Sequence, residues 1–195
     1  MFTGIIESIG EIIAIEKTGT NVHFDISSAL TSSLKVDQSL SHNGVCLTVV
    51  KVNKTYHRVT AIEETLSKSN LGYWEVGDQV NLERCMPAMG RFDGHIVQGH
   101  VDQIGQIISI GQLEGSWVFR IEFDPGLGNI TVEKGSICVN GTSLTCFDSS
   151  EGKFSVAIIP YTFEHTIFHR LQVGNKVNLE FDILGKYIQR IIKGY

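Results

Sequence analysis

The chain has 195 residues, a formal net charge of −5 and a pI near 5.8. No Lys/Arg cluster interleaves with aromatics, which argues against nucleic acid or an anionic membrane as the main partner. No segment approaches the about 18 consecutive apolar residues of a membrane span, and the N-terminal Met1-Phe2-Thr3-Gly4-Ile5-Ile6-Glu7 lacks a basic run before a long apolar stretch, so the expectation is a soluble, cytoplasmic protein that handles a small molecule.

In chain order, Gly10-Glu11-Ile12-Ile13-Ala14-Ile15 reads as a first strand, Asn43-Gly44-Val45-Cys46-Leu47-Thr48 as a sharp corner, residues 65–71 as a short helix after a loop, and Gln79-Val80-Asn81-Leu82-Glu83 as another strand. Then the series returns. Val76-Gly77-Asp78-Gln79-Val80-Asn81-Leu82-Glu83 reappears as Val173-Gly174-Asn175-Lys176-Val177-Asn178-Leu179-Glu180, and the corner reappears as Asn140-Gly141-Thr142-Ser143-Leu144-Thr145, both 97 positions on (Val76 to Val173, Asn43 to Asn140). The segment Gly4-Ile5-Ile6 returns as Gly99-His100-Val101 at an offset of 95 (Gly4 to Gly99). Before the repeated corner lies Ser116-Trp117-Val118-Phe119-Arg120-Ile121-Glu122-Phe123, and between it and the repeated terminal strand lie Lys153-Phe154-Ser155-Val156-Ala157-Ile158 and a second short helix at 162–168. A period near a hundred residues is a duplicated domain and not a solenoid unit. About six short strands per half, punctuated by Gly, Asn and Asp, predict an all-β fold of two tandem six-stranded Greek-key β-barrels with a short C-terminal α-helix. The expected boundaries are 1–95, 96–182 and 183–195. In the last segment Ile183, Leu184, Tyr187, Ile188, Ile191 and Ile192 form one helical stripe, which either docks on the second barrel or, the favoured reading, packs against copies of itself.

Positions where the halves agree serve the fold, and positions where they differ serve one site. Cys46 faces Ser143 in the repeat, Ile5 faces His100, and Glu63-Glu64-Thr65 faces Pro160-Tyr161-Thr162. Cys46 is the leading candidate for chemistry, its thiolate fraction rising if a His or Lys lies near, against the blander reading of an apolar filler. His95 and His100, on the Gly-flanked segment joining the halves, are candidates for proton transfer near neutral pH. Lys134 otherwise reads as a solvated turn residue, and Thr48 and Thr145 as hydroxyls offered to a heterocycle or as ordinary strand residues. The four cysteines, Cys46, Cys85, Cys138 and Cys146, are expected to be reduced, and their spacing with His95 and His100 predicts no metal site.

Residues 1–7, Ser41-His42-Asn43-Gly44-Val45-Cys46-Leu47-Thr48, Glu64-Thr65-Leu66, Gly94-His95 through Gly99-His100, and Asn140 to Thr145 together closely resemble the riboflavin synthases of the α-subunit type, over essentially the whole chain. The resemblance implies dismutation of two 6,7-dimethyl-8-ribityllumazine molecules by transfer of a four-carbon unit, giving riboflavin and 5-amino-6-ribitylaminouracil, with no metal or organic cofactor. It also implies a homotrimer held by the C-terminal helix, with active sites between barrels of neighbouring subunits, and raises an association with lumazine synthase. Carried over by position, the substrate-binding residues are Gly4, Ile5, Ile6, Cys46, Leu47, Thr48, Thr60, Ala61, Ile62, Glu63, Glu64, Thr65, Gly99, His100, Val101, Lys134, Ser143, Leu144, Thr145, Ala157, Ile158, Ile159, Pro160, Tyr161 and Thr162. Those tied to turnover are Ser39, Cys46, His95, His100 and Lys134. Asn140 stands where many relatives carry Asp. The rival function is a non-catalytic lumazine- or flavin-binding antenna on the same duplicated barrel, whose members keep only part of this thiol, histidine and lysine set.

Overall fold

Apolar residues alternate with polar ones along the strands, so each sheet has one face to hide and hides it by closing on itself. The computed structural model describes residues 1–193; residues 194–195, the end of the expected tail segment, lie outside the described residues. In the first half β1 (Ser8–Thr18), β2 (Asn21–Ser27), β3 (Ser39–His42), β4 (Val45–Val52), β5 (His57–Ala61) and β6 (Gln79–Arg84) close into a barrel in the order β1-β2-β5-β4-β3-β6, every neighbour antiparallel. The second half repeats the circuit with β7 (Gln103–Leu113), β8 (Ser116–Glu122), β9 (Ser136–Val139), β10 (Thr142–Ser150), β11 (Lys153–Ile158) and β12 (Lys176–Phe181), ordered β10-β11-β8-β7-β12-β9. The step from β2 to β5, and from β8 to β11, is the Greek-key crossover. Even the irregularities repeat: β1 bulges between Ile12 and Ala14, and β7 between Ile107 and Ser109.

Each barrel has its own core. Ile12, Phe24, Ile26, Leu40, Val49, Val59, Val80 and Leu82 fill the first, and Ile107, Phe119, Ile121, Ile137, Phe154, Val156, Val177 and Leu179 the second. Side chains of this size contribute about 1.5–3 kcal/mol each when fully buried. A third, small core of Phe2, Val97 and Cys138 lies between the barrels, with Cys46 packed against it.

The single short helix expected in each half is two pieces. α1 (Glu63–Lys68) is followed by a 3-10 turn at Asn70–Tyr73, and α2 (Pro160–His165) by one at Ile167–Arg170. The break has a side-chain cause. The Ser69 hydroxyl donates to the Thr65 carbonyl at 2.6 Å and the Thr166 hydroxyl to the Thr162 carbonyl at 2.7 Å, each taking the acceptor that the same residue's backbone N–H would have used in a continuing helix.

The N–H groups of the residues that follow point across to the other barrel. Asn70 N donates to Asn178 Oδ1 at 2.6 Å and Ile167 N to Asn81 Oδ1 at 2.8 Å, while Asn81 Nδ2 donates to the Asn140 carbonyl and Asn178 Nδ2 to the Asn43 carbonyl, each at 2.9 Å. These reciprocal bonds relate the barrels by a pseudo-twofold axis, and Gly44 meets Gly141 on it so closely that a Cβ on either would come within 2.8 Å of the other's backbone nitrogen.

α3 (Ile183–Lys193) leaves the second barrel with an ion pair near its start: Lys186 Nζ lies 2.7 Å from the Asp102 carboxylate, whose Oδ2 also accepts from Phe181 N at 2.8 Å. Its Leu184, Tyr187, Ile188, Ile191 and Ile192 are all more than half exposed. Among the described residues no helix is long and apolar enough to cross a membrane.

Candidate functional site

The stretches that precede each barrel reach beyond it. Phe2 and Val97 pair back to back, Phe2 N donating to the Val97 carbonyl at 2.7 Å and Val97 N returning the bond at 3.1 Å, so the N-terminus and the linker run as one antiparallel bridge between the barrels. Beyond it each stretch docks on the barrel of the other repeat. The Gly99 carbonyl accepts from Cys46 N and the Gly4 carbonyl from Ser143 N, both at 2.8 Å. Gly99 has φ +81° and Gly4 φ +79°, and a Cβ on Gly99 would lie 2.6 Å from Cys46 Cβ, one on Gly4 2.6 Å from Ser143 Cβ. Only glycine satisfies both the backbone angle and the approach.

Two pockets result. The first, a cavity of ≈ 240 Å³, is lined by Val45, Cys46, Glu64, Thr65, Lys68, Ser69, Gly99, His100 and Val101. Cys46 lies at its floor, half-buried, and burial pushes its thiol pKa up while a hydrogen bond with the Ser39 side chain pulls the other way. The thiol is therefore protonated at neutral pH, opposite in sign to the activation by a neighbouring His or Lys considered from sequence. His100 stands exposed at the rim.

The second pocket, ≈ 320 Å³, is lined by Lys134, Ser143, Leu144, Thr145, Cys146, Phe147, Ala157, Ile159 and Thr162. His95 Nδ1 lies 2.6 Å from Ser143 Oγ, and burial lowers the His95 pKa, opposed by the Asp182 charge. Lys134 has φ 63°, as its repeat partner Asp37 has φ 70°, so its backbone is a turn in both halves; its Nζ lies 5.9 Å from the centre of the Phe147 ring.

The structure thus divides the candidates. His95 and His100, neighbours in sequence, serve opposite corners. Ser39 reaches Cys46 from β3 but lines a different and larger cavity, ≈ 540 Å³, between the N-terminal stretch and residues 85–93; Ile5 lines the same cavity. Leu47, Ala61 and Ile158 are 5 % exposed or less, and strand alternation points their side chains into the barrel cores, leaving only their backbone for a ligand. Thr60 bonds His23 at 2.8 Å on the barrel wall. Ile62, Glu63 and Pro160 start α1 and α2, Tyr161 stacks on His165 with ring centres 4.0 Å apart, and Thr48 and Ile6 line neither pocket.

Sequence reasoning passed over Glu83 and Glu180. Glu180 Oε1 accepts from Gln98 N at 2.6 Å and its Oε2 from Gly99 N and His100 N, each at 2.8 Å. Glu83 Oε1 accepts from Thr3 N at 2.7 Å and Thr3 Oγ1 at 2.9 Å, and its Oε2 from Gly4 N at 3.0 Å. Both are almost wholly buried, and burial raises both pKa values against the opposing pull of these backbone bonds. Their signal was in the repeat itself, an acid kept at the same strand position of both halves.

The comparison with known proteins follows the same duplication. A model of the lumazine binding domain matches residues 3–85 and again residues 98–182. The chain belongs to the lumazine-binding family. Among lumazine-binding relatives, the riboflavin synthase of Actinobacillus pleuropneumoniae is 40 % identical over 193 residues, covering 98 % of this chain and 90 % of its own. That of Mycobacterium tuberculosis is 40 % identical over 198 residues, covering 99 % and 98 %. Of solved structures, LumP complexed with 6,7-dimethyl-8-(1'-D-ribityl) lumazine matches with a TM-score of 0.84 at 21 % identity, covering 92 % of this chain and 98 % of that one, a likeness of fold. LumP complexed with riboflavin gives 0.85 at 25 %, covering 93 % and 99 %.

Proposed function

We propose that this chain is a riboflavin synthase, which converts two molecules of 6,7-dimethyl-8-ribityllumazine into riboflavin and 5-amino-6-ribitylaminouracil by moving a four-carbon unit from one to the other. The observation that carries the reading is the 40 % identity to riboflavin synthases along nearly the whole chain, in a chain that keeps Cys46, His95, His100 and Lys134 together.

Two pockets of one design but unlike corners suit a reaction between two copies of one substrate in unlike roles. Much of the rate then comes from holding two rings in reacting orientation. One ring must lose a proton from its 7-methyl group, an acidic position because the anion delocalises into the pyrimidine; a neutral imidazole is a base of suitable strength, and His100 at the first pocket or His95 at the second supplies it. The other ring must be attacked at an electrophilic carbon. With His95 unprotonated at Nδ1, the Ser143 hydroxyl donates to it and gains nucleophilic character, whereas the protonated Cys46 thiol is suited to packing and weak donation.

In this reading a partner subunit completes each pocket. We assign that role to a trimer in which α3 packs against its copies and the first barrel of one subunit faces the second barrel of a neighbour. The exposed Leu184, Tyr187, Ile188, Ile191 and Ile192 support this arrangement, as do exposed Ile62, Ile159 and Tyr161 beside the pockets.

Incubation with the lumazine while following flavin absorbance tests the reading. Riboflavin accumulates if it holds; lumazine bound without conversion returns the chain to the antenna class.

A further inference from the structure

We infer that Glu83 and Glu180 are positioning residues wired crosswise, the carboxylate of each barrel holding the entry corner that packs on the pocket residue of the other, Ser143 or Cys46; this rests on reading the two pockets as the lumazine sites. Glu180 belongs to β12 of the second barrel, yet its three backbone bonds hold the 98–100 corner, which lies on Cys46 of the first barrel. Glu83 belongs to β6 of the first barrel, and its bonds hold the 3–4 corner on Ser143 of the second.

The geometry is costly unless it is used. A carboxylate 3–4 % exposed loses most of its hydration, and only charge-assisted bonds to several N–H groups compensate. A hydrophobic side chain would bury the same space without that cost, but it would not fix the direction of the Gly99 and Gly4 carbonyls. Those carbonyls accept the N–H of the two repeat-equivalent residues whose side chains differ, Cys46 and Ser143. His100 is fixed by the same grip, because its own N–H is one of the three that Glu180 binds. A glutamine at either position keeps the shape but turns an NH2 toward N–H donors, so it reverses one arm of the clamp.

The test reads each corner separately by mass spectrometry of iodoacetamide labelling, without and with 6,7-dimethyl-8-ribityllumazine. Cys46 reports on the first pocket, and Ser143→Cys supplies a thiol in the second. Glu180→Gln should speed labelling of Cys46 about tenfold without ligand and raise the lumazine concentration needed to protect it by a similar factor, as expected for loss of a charge-assisted bond, while changing the residue-143 thiol less than about twofold. Glu83→Gln should do the reverse. Glu180→Asp and Glu83→Asp keep the charge and shorten the reach; acceleration in the same crossed pattern then reports a loosened corner and not an altered thiol pKa, and these variants decide the matter if the glutamine forms do not fold. Equal acceleration of both thiols, acceleration in the carboxylate's own barrel, or none in the aspartate forms overturns the inference. If lumazine protects neither thiol in the unaltered Glu83/Glu180 background, the site reading fails, whereas the ligand-free crossed pattern still stands or falls by itself.

Discussion

His95 Nδ1 sits 2.6 Å from Ser143 Oγ, at the one corner where the second half carries a hydroxyl in place of the first half's thiol. Burial lowers the His95 pKa below its ordinary 6.5, so the imidazole stays neutral to lower pH than a free histidine. Activity that needs the neutral ring is full above that lowered value and is lost as pH falls through it. The acid limb of kcat is therefore expected below pH 6.5, and His95→Gln should lower kcat about 100-fold, the scale of general acid–base catalysis, with a smaller change in lumazine affinity. An acid limb centred above pH 6.5, or one unchanged in the variant, contradicts the assignment.

Gly99→Ala should empty the first pocket alone. Its φ of +81° and the 2.6 Å approach to Cys46 Cβ leave no room for a methyl group, and the left-handed backbone adds strain of about 1–3 kcal/mol. Calorimetric titration should fall from two lumazines per chain to one, the remaining site being the Ser143 pocket. Two sites of unchanged affinity would mean that Gly99 does not shape this pocket.

The first barrel should be acid-sensitive. His42 Nδ1 faces the Leu40 carbonyl at 3.1 Å and His42 Nε2 faces His57 Nε2 at 2.9 Å, both rings being fully buried. The carbonyl requires a proton on His42 Nδ1, so His57 Nε2–H donates to His42 and both rings are neutral. Burial lowers both pKa values, that of His57 to about 4 against an opposing Asp25 charge, that of His42 with the His57 charge adding to the fall. Since the unfolded chain binds protons that the folded one refuses, the stability is present above pH 6.5 and is lost as pH falls toward 4, by roughly 3 kcal/mol for His57 alone. Urea unfolding at pH 7 and pH 4.5 measures it; His57→Phe should flatten the dependence, and an equally steep one in that variant would locate the acid sensitivity elsewhere.

Chain termination after Asp182 should abolish assembly. It removes the exposed stripe Leu184, Tyr187, Ile188, Ile191 and Ile192 while leaving both barrels whole. Light scattering should show a monomer that still binds lumazine, with turnover down at least about tenfold because the facing pocket of a neighbour is gone. A truncated trimer removes α3 from the account, and a fully active monomer removes the intersubunit site.

The fold was legible because duplication prints it twice. Repeated Asn-Gly corners and Val-Gly-x-x-Val-Asn-Leu-Glu strands gave both the strand count and the equivalence of the halves. What did not show was anything that depends on where a segment crosses. The offset of 95 that relates Gly4 to Gly99 also relates Ile12 of β1 to Ile107 of β7, so it carried no sign that the entry stretches leave their barrels; only tertiary structure reveals that each docks on the other repeat. For the same reason the sequence places His95 and His100 on one joining segment without showing that they serve opposite corners. Leu47, Ala61 and Ile158 were drawn into the site as members of contiguous segments, where the period-two pleat turns them inward. The helix break at Ser69 and Thr166 depended on hydroxyls taking carbonyls from the helix ladder, and on the opposite barrel binding the N–H groups of the residues that follow, Asn70 and Ile167.

The measurement that bears most directly on two like pockets acting on two like substrates is the balance sheet of a completed reaction. With 6,7-dimethyl-8-ribityllumazine as sole substrate, the account predicts one riboflavin and one 5-amino-6-ribitylaminouracil for every two lumazines consumed. Lumazine that binds and shifts its spectrum, yet is recovered unchanged, contradicts it.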